Sequence, residues 1–163
     1  MKTCLIGCGG IATVHGSVLT SGIDTEFVAA ADIKPEKAQT YAENFHTKPY
    51  PSLESMLDAE KPDVLHICTP HYLHVPMTIY ALERNINVFM EKPPATSFNQ
   101  LEELKKAAAK SEAQLGFCYQ NRYNASIRAA KDLIDSGKAG KVLGARAFVT
   151  WCRGAAYYTE SGW

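Results

Sequence analysis

Gly7-Cys8-Gly9-Gly10-Ile11-Ala12, preceded by Cys4-Leu5-Ile6 and followed by a helical pattern through Val14, Val18 and Leu19, is the stretch that decides the fold. An apolar run, a glycine turn and a helix in that order predict a β-strand feeding an α-helix. The spacing is G-x-G-x-x-A. In that pattern Gly7 permits the sharp turn, Gly9 lets a pyrophosphate approach the backbone, and Ala12 lets the helix pack closely on the strand. The N–H groups at the helix start, around Gly10 and Ile11, would face the phosphates. Asp32 lies twenty residues beyond Ala12 and ends a second apolar run, Phe27-Val28-Ala29-Ala30-Ala31. A carboxylate there can accept hydrogen bonds from an adenosine ribose. A glycine fingerprint alone is weak evidence, but a strand before it, a helix after it and an acid at this distance together point to a dinucleotide site.

Working outward, short apolar runs alternate with helical patterns, the sign of a parallel sheet covered on both faces. Pro35 is placed to start a helix through Ala38, Tyr41, Ala42 and Phe45. Ser52 caps a short helix about Leu53, Met56 and Leu57, and Val64–Cys68 reads as the fourth strand. A helix with Val75, Ile79 and Leu82 on one face follows, then the strand Asn87–Met90. Ser97 with Gln100 forms a capping box for a helix bearing Leu101, Leu104, Ala107 and Ala108, and Gln114–Cys118 supplies a sixth strand. The class is therefore α/β, a doubly wound parallel sheet of the Rossmann dinucleotide-binding kind over residues 1–119, with strand order 3-2-1-4-5-6. In that order Cys8 and Cys68 lie close together as reduced thiols beside the ligand.

Three further groups fall at the carboxyl ends of predicted strands, where such sheets bind ligands. Thr69 and Pro70 leave the fourth strand beside the glycine turn, where a nicotinamide-side ribose could lie, with His74 opening the next helix. The plainer reading is that Pro70 ends the strand and His74 serves the helix. Glu91-Lys92-Pro93-Pro94 ends the fifth strand. A charged pair there is costly unless paired or wet, which suggests use. Lys92 could donate hydrogen bonds to a ribose and a substrate hydroxyl and, if buried, take part in proton transfer. Its plainer reading is a strand-end salt bridge with two prolines closing the turn. Gln120-Asn121-Arg122-Tyr123 follows the sixth strand, where amide and guanidinium groups could hold the nicotinamide side or a polyol. The alternative there is a polar domain junction.

Composition excludes several classes. Seventeen basic and seventeen acidic residues give zero formal net charge, so nothing attracts the chain to nucleic acid or an anionic membrane. Five scattered cysteines without a C-x-x-C suggest neither a disulfide framework nor a zinc site, and reduced cytoplasm is the default compartment. The start Met1-Lys2 followed by Leu5-Ile6-Gly7-Cys8 is too short an apolar core for a lipoprotein signal. A metal or redox role for Cys4, Cys8, Cys68 and Cys118 is weaker than their reading as small buried apolar residues.

After Tyr119 the pattern changes. Asn124 caps a helix with Ile127, Ala130, Leu133 and Ile134 that stops at Gly137, and residues 142–151 alternate as a strand with Ala145, Ala147, Val149 and Trp151 on one face. This looks like the first strand of another sheet, which either docks on the first domain or lacks its partners.

These residues carry a resemblance. Gly7, Gly9 and Ala12, Thr69-Pro70 with His74, Glu91-Lys92-Pro93, Arg122-Tyr123, Trp151-Cys152-Arg153 and Tyr157-Tyr158 make the chain similar to the Gfo/Idh/MocA oxidoreductases, the family of glucose-fructose oxidoreductase and inositol 2-dehydrogenase. The resemblance implies NAD-dependent, or alternatively NADP-dependent, hydride transfer at a hydroxyl-bearing carbon of a sugar, inositol or related polyol. It also implies that Lys92 touches both ribose and substrate as the catalytic residue. The cofactor set is then Gly7, Gly9, Gly10, Ile11, Ala12, Asp32, Thr69, Pro70, His74, Glu91, Lys92, Gln120 and Arg122, with no metal. The resemblance further implies that residues 120–163 are the first helix and strand of a substrate or dimerisation domain, the start of a truncated α+β open sheet. A full-length form would be a homo-oligomer through the second-domain sheet. In the family the catalytic histidine and a neighbouring acid lie in that second domain, and His15, His46, His66 and His71 read better as helix, loop or strand residues. The 163-residue chain is therefore expected to bind dinucleotide without useful turnover. The competing class is a protein that binds or senses dinucleotide without catalysis.

Overall fold

The chain is described by a computed structural model covering residues 1–22 and 24–159. It divides into a unit of residues 1–118 and a second unit beginning at Tyr119. In the first unit β1 (Lys2–Ile6), α1 (Gly10–Ser21), β2 (Glu26–Ala31), α2 (Pro35–Phe45), β3 (Lys48–Tyr50) and α3 (Leu53–Glu60) come first. Then come β4 (Val64–Ile67), α4 (His74–Leu82), β5 (Asn87–Glu91), α5 (Phe98–Lys110) and β6 (Leu115–Cys118). The six strands pair in the order β3-β2-β1-β4-β5-β6, every pair parallel. This is the doubly wound Rossmann sheet that the alternation predicts.

The strands are apolar on both sides because helices cover both. Leu5, Ala12, Ala30, Tyr41 and Cys68 pack together where α1 and α2 meet the sheet. Cys4, Ile6, Ala29, Ala31, Leu65, Ile67, Val88 and Met90 meet Leu53, Met56, Val75, Leu82 and Leu104 on the other side. Helix α1 is held mainly by this packing. Its sequence, GIATVHGSVLTS, is rich in glycine and β-branched residues and forms helix poorly by itself. Its buried face is Ala12, His15, Gly16 and Leu19, so Val14 and Val18 point outward, contrary to what a simple apolar stripe would give. Gly16 is needed for close approach: a Cβ there would lie 2.5 Å from the Tyr41 hydroxyl and 2.7 Å from the Phe45 ring. Tyr41 in turn donates to the Ala12 carbonyl at 2.6 Å.

Caps follow the sequence with small changes. Ser52 Oγ accepts from Ser55 N–H, and Ser97 Oγ from Gln100 N–H. The Gln100 side chain reaches back one residue further than a reciprocal box requires, accepting from Thr96 N–H and hydroxyl. Strand β3, which no apolar pattern marks, is three residues with Pro49 at its centre. At the amino edge of the sheet Glu60 is buried and accepts from Lys48 Nζ at 2.9 Å, Tyr50 OH at 2.6 Å and Lys2 Nζ at 3.0 Å.

The second unit opens with a 3-10 turn, Gln120–Tyr123, followed by α6 (Ala125–Asp135) and a short α7 (Ala155–Thr159). Asn124 stands at the N-cap of α6, but its side chain makes no capping bond. The expected strand over residues 142–151 is not formed. A strand exists only by pairing, and no ladder partner for this segment is present among the described residues. Its large side chains, including Leu143, Phe148, Val149 and Trp151, are exposed. Residues 160–163, which close the expected second domain, lie outside the described residues.

Candidate dinucleotide site

The site forms along the carboxyl edge of the first unit's sheet, where β1, β2, β4 and β5 end. Gly7 leaves β1 at φ +93. A Cβ there would sit 2.8 Å from the carbonyl carbon and oxygen of Cys68 and 2.8 Å from Thr69 N. Only glycine lets β1 turn while pressed against the end of β4. Cys8 and Cys68 follow from this: neither is in a disulfide, and Cys8 lies within electrostatic reach of Cys68.

Gly9 is the N-cap of α1, with no side-chain cap and no acid in the first turn. Nothing lies within 4 Å of a Cβ built on Gly9 or on Gly10. The helix start thus has open space beside Gly9 and Gly10 and no side chain capping its N–H groups, which suits a phosphate. Ile11 is exposed beside it, and Ala12 is fully buried against the sheet, as the fingerprint requires.

Asp32 is tied to the glycine turn. Its Oδ2 accepts from Cys8 N–H and its Oδ1 from Lys34 N–H, both at 2.9 Å. Each oxygen keeps a further lone pair for a ribose hydroxyl. Thr69 and Pro70, both half-buried, form the neighbouring wall after β4. Thr69 hydroxyl donates to Met77 Sδ at 3.6 Å.

Two expected ligand contacts find other places. His74 is fully buried, its Nδ1 2.8 Å from the Pro93 carbonyl and its Nε2 2.9 Å from the Thr69 carbonyl. It joins the loops after β4 and β5 instead of reaching into the cleft. Glu91 is also buried: Oε1 lies 3.1 Å from His15 Nε2, and Oε2 accepts from Lys92 N–H at 3.1 Å. The side chain that meets its Oε1 is therefore His15 and not the ammonium of the adjacent Lys92. Lys92 itself is exposed, not buried as proton transfer within a dry site would favour. The strand turns over between the two residues, sending the carboxylate inward and the ammonium outward. Lys92 stands near the Thr69–His74 loop. Burial, His74 and the Lys92 charge all push the His71 pKa down, against the opposing pull of Glu91.

The apolar pattern of α1 hid an interior polar cluster. His15 Nδ1 lies 3.0 Å from His66 Nδ1, and both rings pack on Phe89. Burial, then His15, lowers the His66 pKa to about 4. Burial acts to raise the Glu91 pKa, but hydrogen bonds from His15 and Cys118, the His15 charge and the Lys92 N–H outweigh it and bring it down. Donor atoms of His15, Glu91 and Cys118 lie within 4.8 Å of one another, a spacing that these hydrogen bonds already explain. One signal was available: His15 falls three residues after Ala12 and four before Leu19, on the helix's sheet-facing side.

Gln120 and Arg122 belong to the second unit, in its opening 3-10 turn, and both are exposed. Among the described residues no helix is long and apolar enough to cross a membrane.

Comparison with known proteins agrees with this geometry. Residues 1–119 match the model of GFO_IDH_MocA, an oxidoreductase family with an NAD-binding Rossmann fold. D-glucoside 3-dehydrogenase of Escherichia coli is 30% identical over all of this chain and 46% of its own length. Inositol 2-dehydrogenase/D-chiro-inositol 3-dehydrogenase of Lacticaseibacillus casei is 30% identical over 90% of this chain and 44% of its own. The crystal structure of the WlbA dehydrogenase of Chromobacterium violaceum, in complex with NADH and UDP-GlcNAcA, superimposes with a TM-score of 0.91 at 30% identity. That alignment covers all of this chain and 48% of the other. The chain thus spans just under half the length of the relatives it matches.

Proposed function

Because the chain belongs to the Gfo/Idh/MocA oxidoreductase family, we propose that its first unit binds NAD(H) along the carboxyl edge of the sheet. It would serve there as the cofactor half of an enzyme acting on a hydroxyl-bearing carbon of a sugar, inositol or related polyol. The observation that carries the reading is the bond from Cys8 N–H to Asp32 Oδ2. It fixes a ribose-binding acid against the uncapped helix start that a pyrophosphate would occupy. The bound nicotinamide supplies a hydride acceptor or donor; the chain's own groups do the rest. Gly9, Gly10 and Ile11 present backbone N–H groups to the phosphates, and Asp32 accepts from the adenosine ribose and disfavours a 2′-phosphate. Lys92, whose side chain is exposed within electrostatic reach of His71 in the loop after β4, donates to the other ribose and to the substrate oxygen. There it would stabilise charge as the hydroxyl proton leaves. Gln120 and Arg122 are proposed to complete the cofactor or polyol contacts.

Relatives named for glucosides and inositols support the polyol substrate class. Five cysteines without a disulfide fit a cytoplasmic setting. Exposed Leu143, Phe148, Val149 and Trp151 fit association through the second unit.

Gly9→Val tests the cofactor site cleanly. Nothing lies within 4 Å of the new Cβ and φ is −85, so the fold should hold while the phosphate space is filled. NADH should quench or enhance protein fluorescence saturably in the wild type and lose its effect in Gly9→Val at an unchanged melting temperature. Equal affinities would overturn the assignment. A dinucleotide sensor would share every cofactor contact, and NADH production from inositol or sugars by a chain extended to the length of its relatives separates it from an enzyme.

A further inference from the structure

Three hydrogen-bond donors converge on one buried carboxylate. Glu91 receives His15 Nε2 on Oε1, Lys92 N–H on Oε2 and the Cys118 side chain. His15 stands on α1, in the turn of helix after the glycine fingerprint, Cys118 ends β6, and Lys92 begins the turn after β5. A carboxylate is the one side chain of this size that accepts on both atoms. The second flank of the same turn is held by His74, whose Nδ1 meets the Pro93 carbonyl while Nε2 meets that of Thr69. The exposed Lys92 side chain thus rises from a backbone gripped on either side by buried groups, and those groups belong to the elements that carry the other cofactor contacts.

We propose that Glu91 is a positioning residue for Lys92: through its bonds to His15 and to Lys92 N–H it couples the helix of the glycine turn to the turn that presents the ammonium. The inference deepens, and rests on, the reading of Lys92 as a cofactor contact. It explains why an acid is buried beside a lysine without pairing with its ammonium. The carboxylate orders the backbone, and the ammonium stays available for a ligand.

A double-mutant cycle on NADH binding separates positioning from mere support of the fold. Glu91→Gln keeps the size of the side chain but leaves one oxygen for three donors and turns an NH2 toward one of them. In the wild-type background Glu91→Gln should raise the NADH dissociation constant about five- to tenfold, by a coupling of the usual size for contacting residues. In a Lys92→Met background the same change should have less than about a twofold effect. Glu91→Asp, an acceptor-only group, is measured alongside. It should recover part of the affinity in the Lys92 background and none in Lys92→Met, and it serves as the cycle if the glutamine variant does not fold. Equal losses in both backgrounds, or no loss in either, would overturn the inference while leaving the cofactor reading intact. Absence of NADH binding by the wild type would overturn both.

Discussion

Gly7 and Cys68 stand backbone against backbone, so that a single added carbon on Gly7 would lie 2.8 Å from the Cys68 carbonyl. The same residue has φ +93, which side-chain-bearing residues avoid. Gly7→Ala should therefore cost both backbone strain and overpacking, about 2–5 kcal/mol together. Urea unfolding measures it; an alanine variant with an unshifted midpoint would refute the claim.

Asp32 should set cofactor preference. NADH is expected to bind more tightly than NADPH, because a 2′-phosphate would meet the carboxylate at short range. Asp32→Ala should narrow that gap by about tenfold or more, roughly the worth of a charged hydrogen bond. Lys34, whose N–H already engages Asp32, would then be free to favour the phosphate. Tighter binding of NADPH by the wild type contradicts this use of Asp32.

Acid should weaken the fold in two steps. The His66 pKa is about 4 in the fold against 6.5 when unperturbed. Between those values the unfolded chain holds the extra proton, and stability falls as pH drops. Glu60 acts lower. Hydrogen bonds from Tyr50 and Lys48, and then Lys2, hold its pKa to about 2 against 4.5, with burial opposing. Its contribution, on the order of 1–3 kcal/mol, is full above pH 4.5 and lost as pH falls through 2. Melting temperatures from pH 8 to 2 should show His66→Asn flattening the upper step and Glu60→Gln the lower. Curves parallel to the wild type would show that these groups do not drive acid unfolding.

Cysteine labelling should be selective. Burial first, then Glu60 for Cys4 and Asp32 for Cys8, pushes both pKa values to about 12. Burial and Glu91 raise Cys68 well above its ordinary value. Cys152 is exposed. Iodoacetamide at neutral pH should therefore modify Cys152 at least about tenfold faster than the other three. NADH should slow Cys8 further without touching Cys152. Uniform labelling, or an equal rate at Cys8 with and without NADH, would count against the thiol's place beside the site.

Much of the carboxyl edge was legible because glycine, proline and alternating apolar runs act locally. Gly7, Gly9 and Ala12 dictate a strand, a turn and a close-packed helix from six consecutive residues, and the sheet order follows from crossover rules. Strand β3 was not legible, since Lys48-Pro49-Tyr50 has no alternation and is a strand only because β2 offers a register. His74 and Glu91 were recognised as important, but the directions of their side chains were not legible. A polar side chain's direction depends on which carbonyl or histidine arrives from elsewhere, as Pro93 and His15 do. The alternation over residues 142–151 was real, but pairing needs a second strand that the segment itself does not contain.

The Glu60 cluster lies at the opposite edge of the sheet from Gly9, Asp32 and Lys92. Two of its partners, Lys2 and Lys48, come from the starts of β1 and β3, and Tyr50 reaches it from the end of β3, whereas the candidate site is made from loops that follow β1, β2, β4 and β5. Substitutions at Lys2 or Lys48 should change how much mutational load the fold tolerates without altering the shape presented to a ligand, whereas Tyr50, whose carbonyl accepts from Asp32 N–H, touches both. Selection can therefore rebuild the loops while the far edge supplies a reserve of stability, a division of labour that suits a scaffold shared by relatives named for different sugars and inositols.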